Sequence, residues 1–239
     1  MTDVKEIPTE SNPQKVKVLM TEFVTHDVKR FIVEKPKGYS FIPGQANLVS
    51  LERDDWDDEL RPFTFTSLNE DEVLEFTIKG YPSHDGVTTR LHDLQAGDNI
   101  TIRNPFGSLT YNEPGYFIAG GAGITPFIAI FRHLRKHERI EDNLLIFSNK
   151  MKKDIILEKE LRETFGDDLV LALTQEKQSG YEYGRIDKDL LQKHLKDKDR
   201  TVYICGPPGF LKAMKSAAEE LGFSDDKIVL EKFVWMDIH

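Results

Sequence analysis

The first hundred residues alternate short apolar runs with turn-forming residues. Runs typical of strands occupy 16–20, 29–33, 46–51, 63–66, 73–78 and 99–102. Turn formers separate them, among them Lys37-Gly38, Pro43-Gly44 and the segments 68–71 and 96–98. One brief helical stretch, 88–94, interrupts the series. Several short strands at this spacing predict a closed antiparallel β-barrel.

The pattern changes near Pro114, where strand-like and helix-like segments begin to alternate. The predicted strands are 116–119, 144–148, 169–174, 201–205 and 227–233, and the predicted helices are 126–137, 157–165, 187–195 and 209–221. Alternation of this kind indicates an α/β domain with a parallel sheet and right-handed crossovers. With 108–114 as a linker, we expect a flexible tail at 1–13, a barrel domain at 14–110 and an α/β domain at 114–239.

Composition and charge narrow the function classes. The single cysteine, Cys205, excludes both a disulfide framework and an iron–sulfur cluster held by four thiolates of this chain. A net charge of -9 argues against a nucleic-acid partner. The polar start and the lack of an apolar run of about 20 residues predict no signal peptide and no membrane span, hence cytoplasmic residence. We also expect a monomer. His133 and His137 have metal-like spacing, but no third ligand is evident and no metal site is predicted.

Two segments of the barrel carry candidate chemistry. Arg61, Phe63 and Thr64 offer a cation for phosphate, a ring for stacking and a hydroxyl for a ring nitrogen. From these residues alone, a strand with core aromatics is the better interpretation. Downstream, Gly86 and two threonines open the short helix, whose N–H groups could hold a phosphate. Capping of that helix by Thr88 is an equally good interpretation.

The α/β domain carries two further segments and the chain ends on a third. Ala119-Gly120-Gly121-Ala122-Gly123-Ile124-Thr125-Pro126 lies between a strand and a helix, where such sheets bind pyrophosphate, so a nucleotide-binding role is favoured. Cys205, at the carboxyl end of another strand, either touches a reacting group or is a small buried thiol, and the residues alone favour the thiol. The end, Glu231-Lys232-Phe233-Val234-Trp235, could reach a flavin face or form a last core strand.

Taken together and in order, these segments resemble the ferredoxin–NADP(+) reductase superfamily along almost the whole chain after the tail. The resemblance rests on four segments: Arg61-Pro62-Phe63-Thr64, Val87-Thr88-Thr89, the glycine-rich segment 120–126 (the glycine loop) and Cys205-Gly206-Pro207-Pro208. Phe63 stands where the family more often has Tyr. The resemblance implies an FAD-binding barrel followed by a nicotinamide-nucleotide domain.

The resemblance also assigns roles. Arg61 would bind the flavin phosphate, Phe63 would stack on the isoalloxazine, and Cys205 would lie beside the nicotinamide. The implied catalytic residues are Thr64, Cys205 and Glu231. The implied flavin-binding residues are Arg61, Pro62, Phe63, Thr64, Gly86, Val87, Thr88, Thr89 and Phe233 or Trp235. The implied nicotinamide-binding residues are Gly121, Gly123, Ile124, Thr125, Pro126, Asn149, Lys150, Cys205, Gly206 and Pro207.

The function implied is hydride transfer from NADH or NADPH to FAD (rather than FMN), then single electrons to a separate ferredoxin, flavodoxin or cytochrome. Two alternatives stay open: an NAD(P)H:flavin reductase using free flavin as substrate, and a flavin-binding electron-transfer or regulatory subunit without turnover of its own. The segment 147–157 resembles the Asn-x-Thr-x-x-Asp-Ile-Leu pattern of NADH-using cytochrome reductases, which favours NADH. Lys150, Lys152 and Lys153 leave NADPH open.

Overall fold

The computed structural model describes residues 12–52, 59–81, 86–107 and 109–231. The chain divides into two units, the first ending at Thr110 and the second comprising Tyr111–Glu231. Within the described ranges, no helix combines the length and the apolar character needed to cross a membrane.

The first unit is a near-closed antiparallel barrel, which confirms the predicted fold class. Its sheet order is β4-β3-β6-β1-β2-β5. The two edges approach through a bridge between Phe65 and Phe76, and the Thr66 N–H donates to the Glu75 carbonyl at 2.8 Å. Its elements are β1 (Gln14–Phe23), β2 (Val28–Glu34), β3 (Ala46–Leu51), β4 (Arg61–Thr64), β5 (Val73–Lys79), α1 (Val87–His92) and β6 (Asn99–Ile102).

Alternating residues of the strands fill the barrel. In β5, Leu74, Phe76 and Ile78 are buried in one core with residues of the other strands, because side chains two apart in a strand share a face. Helix α1 adds Val87 and Leu91 to the same core. The helix therefore covers one side of the barrel interior with its apolar face.

The second unit is an α/β domain with a six-stranded parallel sheet in the order β10-β9-β8-β7-β11-β12, as predicted. Every residue of β7 and β11 is buried, as expected for central strands covered on both faces. The elements are β7 (Gly115–Gly120), α2 (Thr125–Lys136), β8 (Leu144–Asn149), α3 (Glu158–Phe165), β9 (Leu169–Leu173), β10 (Glu182–Tyr183), α4 (Lys188–His194), β11 (Thr201–Cys205), α5 (Pro208–Glu220) and β12 (Ile228–Leu230).

The strand order reverses at β7, which has β8 on one side and β11 on the other. The register pairs Cys205 at the end of β11 with Ala119 near the end of β7. In sheets of this type, ligands bind beyond the carboxyl ends of the strands at such a switch point. The glycine loop and Cys205 therefore reach the same edge of the sheet.

Several boundaries differ from the sequence prediction. Strand β4 covers Arg61–Thr64 instead of 63–66, because its ladder with β3 pairs Val49 with Arg61 and Ala46 with Thr64. Helix α1 begins at Val87, one residue earlier than predicted. Strand β10 has only two residues, too few to show a periodic pattern, and was not predicted.

Candidate functional site

The residues that resemble a flavin motif lie on an edge strand of the barrel sheet. Strand β4 pairs with β3, placing Phe63 opposite Asn47. Pro62 lacks an N–H and is tolerated because β4 is an edge strand. Arg61 and Phe63 share one face by alternation. Phe63 is half-buried against the barrel core, and Thr64 is buried.

Arg61 is held by its neighbours in sequence. Its Nη1 donates to the Leu60 carbonyl at 2.8 Å, and its Nη2 lies 3.1 Å from the Glu59 carboxylate. The guanidinium is partly exposed, so the Glu59 pair is a weak surface interaction. A bound phosphate could replace Glu59 without leaving a buried charge unpaired.

The segment Gly86–Thr89 forms the first turn of α1. Gly86 is the N-cap residue, in an extended conformation and without a side-chain capping bond. The interpretation that Thr88 caps this helix is therefore wrong, because Thr88 lies inside the first turn. A Cβ on Gly86 would meet no atom of the described residues within 4 Å, so these residues leave the backbone there open to a ligand. The Thr89 hydroxyl donates to the Tyr81 carbonyl at 3.2 Å.

The glycine loop of the second unit is a short 3-10 turn, Gly121–Ile124, between β7 and α2. Gly121 has a φ of +54°, a conformation that favours glycine, and its Cβ position is open. The Thr125 hydroxyl donates to the Ala122 carbonyl at 2.9 Å, and Pro126 lies in the first turn of α2. Ile124 is buried and anchors the turn.

Gly123 fixes the loop against the end of β11. A Cβ on Gly123 would lie 2.4 Å from the Cys205 carbonyl oxygen and 2.6 Å from the Gly206 Cα. Only glycine allows this approach of two backbones. Gly206 in turn faces the Phe210 ring, which a Cβ would meet at 2.6 Å, and Pro207 is exposed at the start of α5. The glycine loop and the segment 205–207, the cysteine loop, thus form one surface.

A thiol and a carboxyl group meet beside this surface. The Cys205 Sγ donates to the Glu231 Oε2 at 2.5 Å. Burial raises the pKa of Glu231 to about 8. Burial, reinforced by the Glu231 charge, raises the pKa of the Cys205 thiol well above its usual range. Near neutral pH the pair is therefore held mostly in its uncharged form.

One oxygen of that pair has no partner. The Glu231 Oε1 is buried and makes no hydrogen bond to any described residue. Because Oε2 already accepts from the thiol, Oε1 is the oxygen left to bind a ligand, as a donor when the carboxyl group is protonated. A buried O–H without an acceptor is costly, and a bound ligand would supply one.

Asn149 shows the same signature at the end of β8. Its side chain is 5% exposed, yet neither its Oδ1 nor its Nδ2 has a hydrogen-bond partner among the described residues. Buried amides are nearly always bonded. The amide therefore fits a role in binding a ligand at this edge of the sheet, while neighbouring Lys150 is exposed.

An open pocket of about 450 Å³ follows β8. It is lined by Met151, Lys152, Lys153, Glu158 and Glu176. The Glu176 Oε2 accepts from the Lys152 backbone N–H at 2.8 Å. Sequence reasoning singled out the lysines and missed both glutamates. The parallel pairing of β8 with β9 was the signal for Glu176, because residues after adjacent parallel strands meet at one edge.

The predicted site residues thus form two groups. In the second unit, the joined loops and their borders hold six of them: Gly121, Gly123, Thr125, Cys205, Gly206 and Glu231. The first unit holds the flavin-motif residues of β4 and α1 on separate elements. Phe233 and Trp235 lie outside the described residues. The roles assigned to the individual residues stay predictions.

Comparison with known proteins follows the same division. Residues 15–111 match the oxidoreductase FAD-binding domain family, and residues 117–216 match the oxidoreductase NAD-binding domain family. NADH-cytochrome b5 reductase 2 of Rattus norvegicus is 31% identical over 208 residues, covering 71% of this chain and 75% of the relative. NADH-cytochrome b5 reductase 1 of Arabidopsis thaliana is 29% identical, covering 90% of this chain and 82% of the relative.

A solved structure agrees with these relatives. The CS-b5R domains of human Ncb5or, in the NAD+ form, are 25% identical with a TM-score of 0.82, covering 93% of this chain and 70% of that one. The chain belongs to the ferredoxin–NADP(+) reductase superfamily of flavoprotein reductases. It is accordingly an oxidoreductase that binds FAD and a nicotinamide nucleotide.

The described residues fit both groups. The unbonded Asn149 amide, the unbonded Glu231 Oε1 and the glycine loop on the Cys205–Gly206 backbone suit a nicotinamide nucleotide. The open backbone at Gly86 suits a flavin phosphate, and so does Arg61, whose weak ion pair with Glu59 a phosphate could replace. We therefore assign these residues, together with Phe63 and Thr64, as those that would hold the two groups.

The raised pKa of Glu231 predicts a pH dependence of stability. Because the folded-state pKa is about 8 against 4.5 for the ordinary group, the folded state holds a proton that the unfolded state releases between these pH values. The stabilising contribution is complete below the unfolded pKa and is lost as pH rises through about 8. We expect Glu231→Gln to raise the unfolding free energy of the ligand-free protein more at pH 8 than at pH 5, measured with urea.

Glu113→Gln is the matched control. Glu113 also accepts from a side chain at one end of β11, in its case the Thr201 hydroxyl instead of a thiol, but its Lys227 partner lowers its pKa. Its titration therefore lies below pH 5, and the variant's effect should be the same at both pH values. An equal effect of Glu231→Gln at pH 5 and pH 8 would contradict the assigned protonation.

Proposed function

We propose that this chain is an NADH-dependent reductase that uses bound FAD to pass electrons singly to a separate haem protein of the cytochrome b5 class. The observation that carries the proposal is the buried Cys205–Glu231 pair, at 2.5 Å, beside the joined glycine and cysteine loops. The relatives named NADH-cytochrome b5 reductase support the acceptor.

The chemistry that links a two-electron donor to a one-electron acceptor is supplied by FAD when it is bound. The residues of the protein bind and orient FAD and the nicotinamide nucleotide. The glycine loop brings backbone N–H groups near the nucleotide phosphates, and the Asn149 amide supplies a buried donor and acceptor. The Cys205 thiol and the protonated Glu231 keep negative charge away from the nicotinamide while offering the Oε1 proton to a bound group.

The pocket after β8 favours NADH over NADPH. Two carboxylates line it, but that of Glu158 already accepts from Arg162 at 2.8 Å and from the Tyr181 hydroxyl at 2.6 Å. The Glu176 carboxylate can accept a hydrogen bond from a free ribose hydroxyl and repels a 2′-phosphate. Lys152 and Lys153 act in the opposite direction but are exposed, so solvent screens them. The Lys152 N–H bond holds Glu176 in place.

The proposal is tested on FAD-loaded protein under anaerobic conditions. NADH should bleach the visible absorbance of the oxidised flavin, and NADPH is tried in parallel. Ferric cytochrome b5 added afterwards should be reduced and restore that absorbance. A ferredoxin, a flavodoxin and free FMN serve as competing acceptors in parallel. Faster turnover with free FMN than with cytochrome b5 would make the chain a flavin reductase, and no bleaching by either nucleotide would exclude a reductase.

Nucleotide preference has its own variant. We expect Glu176→Gln to lower the ratio of kcat/KM for NADH to that for NADPH by about tenfold, through KM, since removing one charge beside a phosphate is a change of that order. Glu182→Gln is the control, because Glu182 pairs with Lys193 at 2.6 Å and does not line the pocket. An unchanged ratio in Glu176→Gln would refute the role of Glu176.

A further inference from the structure

Lys29 is a buried lysine with a specific pair of partners. It lies on β2 and is 7% exposed. Its Nζ donates to the carbonyl oxygen of His92 at 2.9 Å and to that of Leu94 at 2.7 Å. These carbonyls belong to the last residue of α1 and to the turn that follows it. A cation there satisfies groups that the helix leaves unbonded and complements the helix dipole.

Lys29 reaches these carbonyls from inside the barrel. In β2 it shares one face with Phe31 and Val33, which are core residues. It pairs in register with Phe23 of β1 and Ile78 of β5. Its Nζ lies 5.7 Å from the centre of the Phe23 ring and 5.5 Å from that of Phe31. Burial lowers the pKa of Lys29, while the nearby Asp93 and Asp98 raise it.

The same end of α1 has a second anchor. The His92 Nε2 lies 2.9 Å from the Ile78 carbonyl oxygen of β5. Gly80 leaves the space for that ring, because a Cβ there would lie 2.6 Å from it. The carboxyl end of α1 is thus tied to β2 by Lys29 and to β5 by His92.

The other end of α1 carries the Gly86–Thr89 segment. Thr89 and His92 are three residues apart, which is less than one helical turn of 5.4 Å. When the Lys29 bonds are lost, the His92 bond still holds this end, and a rotation of α1 about it displaces the backbone N–H groups of Val87 and Thr88. Hydrogen bonds to a phosphate weaken steeply with small changes in distance and angle.

We infer that Lys29 is a positioning residue for FAD: by bonding the carboxyl end of α1 from inside the barrel, it sets the orientation in which the Gly86–Thr89 segment binds the flavin diphosphate. The inference deepens the proposed function and rests on FAD as the bound group. Nothing in the Lys29 contacts concerns hydride transfer, so affinity for FAD is the property it should control.

The experiment measures FAD binding to the full chain after the flavin has been removed. In Lys29→Met, which keeps the length and apolar stem without the ammonium, the dissociation constant for FAD, from quenching of flavin fluorescence, should rise about tenfold or more. Urea unfolding of each protein, with and without saturating FAD, runs alongside. The stabilisation that FAD adds should be smaller in the variant.

Lys35→Met is the matched control. Lys35 also donates from its Nζ to two backbone carbonyls, those of Asn69 and Asp71, and lies 5.9 Å from an aromatic ring, that of Phe41. Its carbonyls belong to the turn before β5, not to α1. We expect its FAD dissociation constant to stay within about twofold of the parent, a difference below the scale of one hydrogen bond.

The outcomes separate the inference from the proposed function. A parent protein that does not bind FAD contradicts both. A parent that binds FAD, with equal affinity in Lys29→Met, overturns the positioning role alone, as does an equal loss of stability with and without FAD. If Lys29→Met does not fold, Lys29→Gln is measured in its place; failure of that variant to fold would show Lys29 to be a folding residue and overturn the inference.

Discussion

The nicotinamide half of this protein depends on one close approach between two backbones. Gly123 lies so near the Cys205 carbonyl and the Gly206 Cα that a single added carbon would overlap both. The contact brings the glycine loop after β7 and the cysteine loop after β11 into one surface. At the same edge of the sheet lie the Asn149 amide and the Glu231 Oε1, which are buried and have no hydrogen-bond partner among the described residues. A site for a ligand is thus built where the strand order reverses.

In the barrel unit, the candidate binding residues lie on two elements, β4 and α1, that are held in place by contacts with other strands. The flavin-motif strand, β4, has a full ladder only with β3, and the contacts that join this edge to β5 follow it, at Phe65 and Thr66. The short helix α1 covers the core with Val87 and Leu91 and is held at its carboxyl end by a lysine from the barrel wall. The placement of binding residues on β4 and α1 therefore depends on contacts made outside these elements, by Phe65 and Thr66 for β4 and by Lys29 for α1.

The sequence was enough for the fold class and for the location of the main motifs. Apolar and polar residues alternate in the barrel strands, and strands alternate with helices after Pro114. Both patterns follow from which side chains are buried, and neighbouring residues in the sequence are enough to show this. The glycine loop was recognisable for the same reason. The reason for Gly123, however, is a contact with Cys205, more than eighty residues further along the chain, and no local pattern reveals it.

The same limit explains what sequence reasoning missed. Glu176 joins the pocket after β8 only because β9 pairs beside β8. Lys29 looks like one charge among many in a strand, and its role follows from a bond to carbonyls more than sixty residues away. Thr88 looked like a helix cap because the true N-cap, Gly86, offers no side chain to signal it. Long-range packing, rather than local propensity, decided the positions of Glu176 and Lys29, whereas the N-cap was missed because glycine carries no side chain.

The most direct test of the central claim is the affinity of FAD-loaded Gly123→Ala for NAD+, followed through the change in flavin absorbance. The account predicts a dissociation constant raised about tenfold or more, since the added Cβ must push the glycine loop away from the cysteine loop, with the flavin content unchanged. Gly209→Ala, where a Cβ meets no atom within 4 Å, should bind NAD+ like the parent. Parent-like affinity in Gly123→Ala would contradict the claim that this contact builds the site.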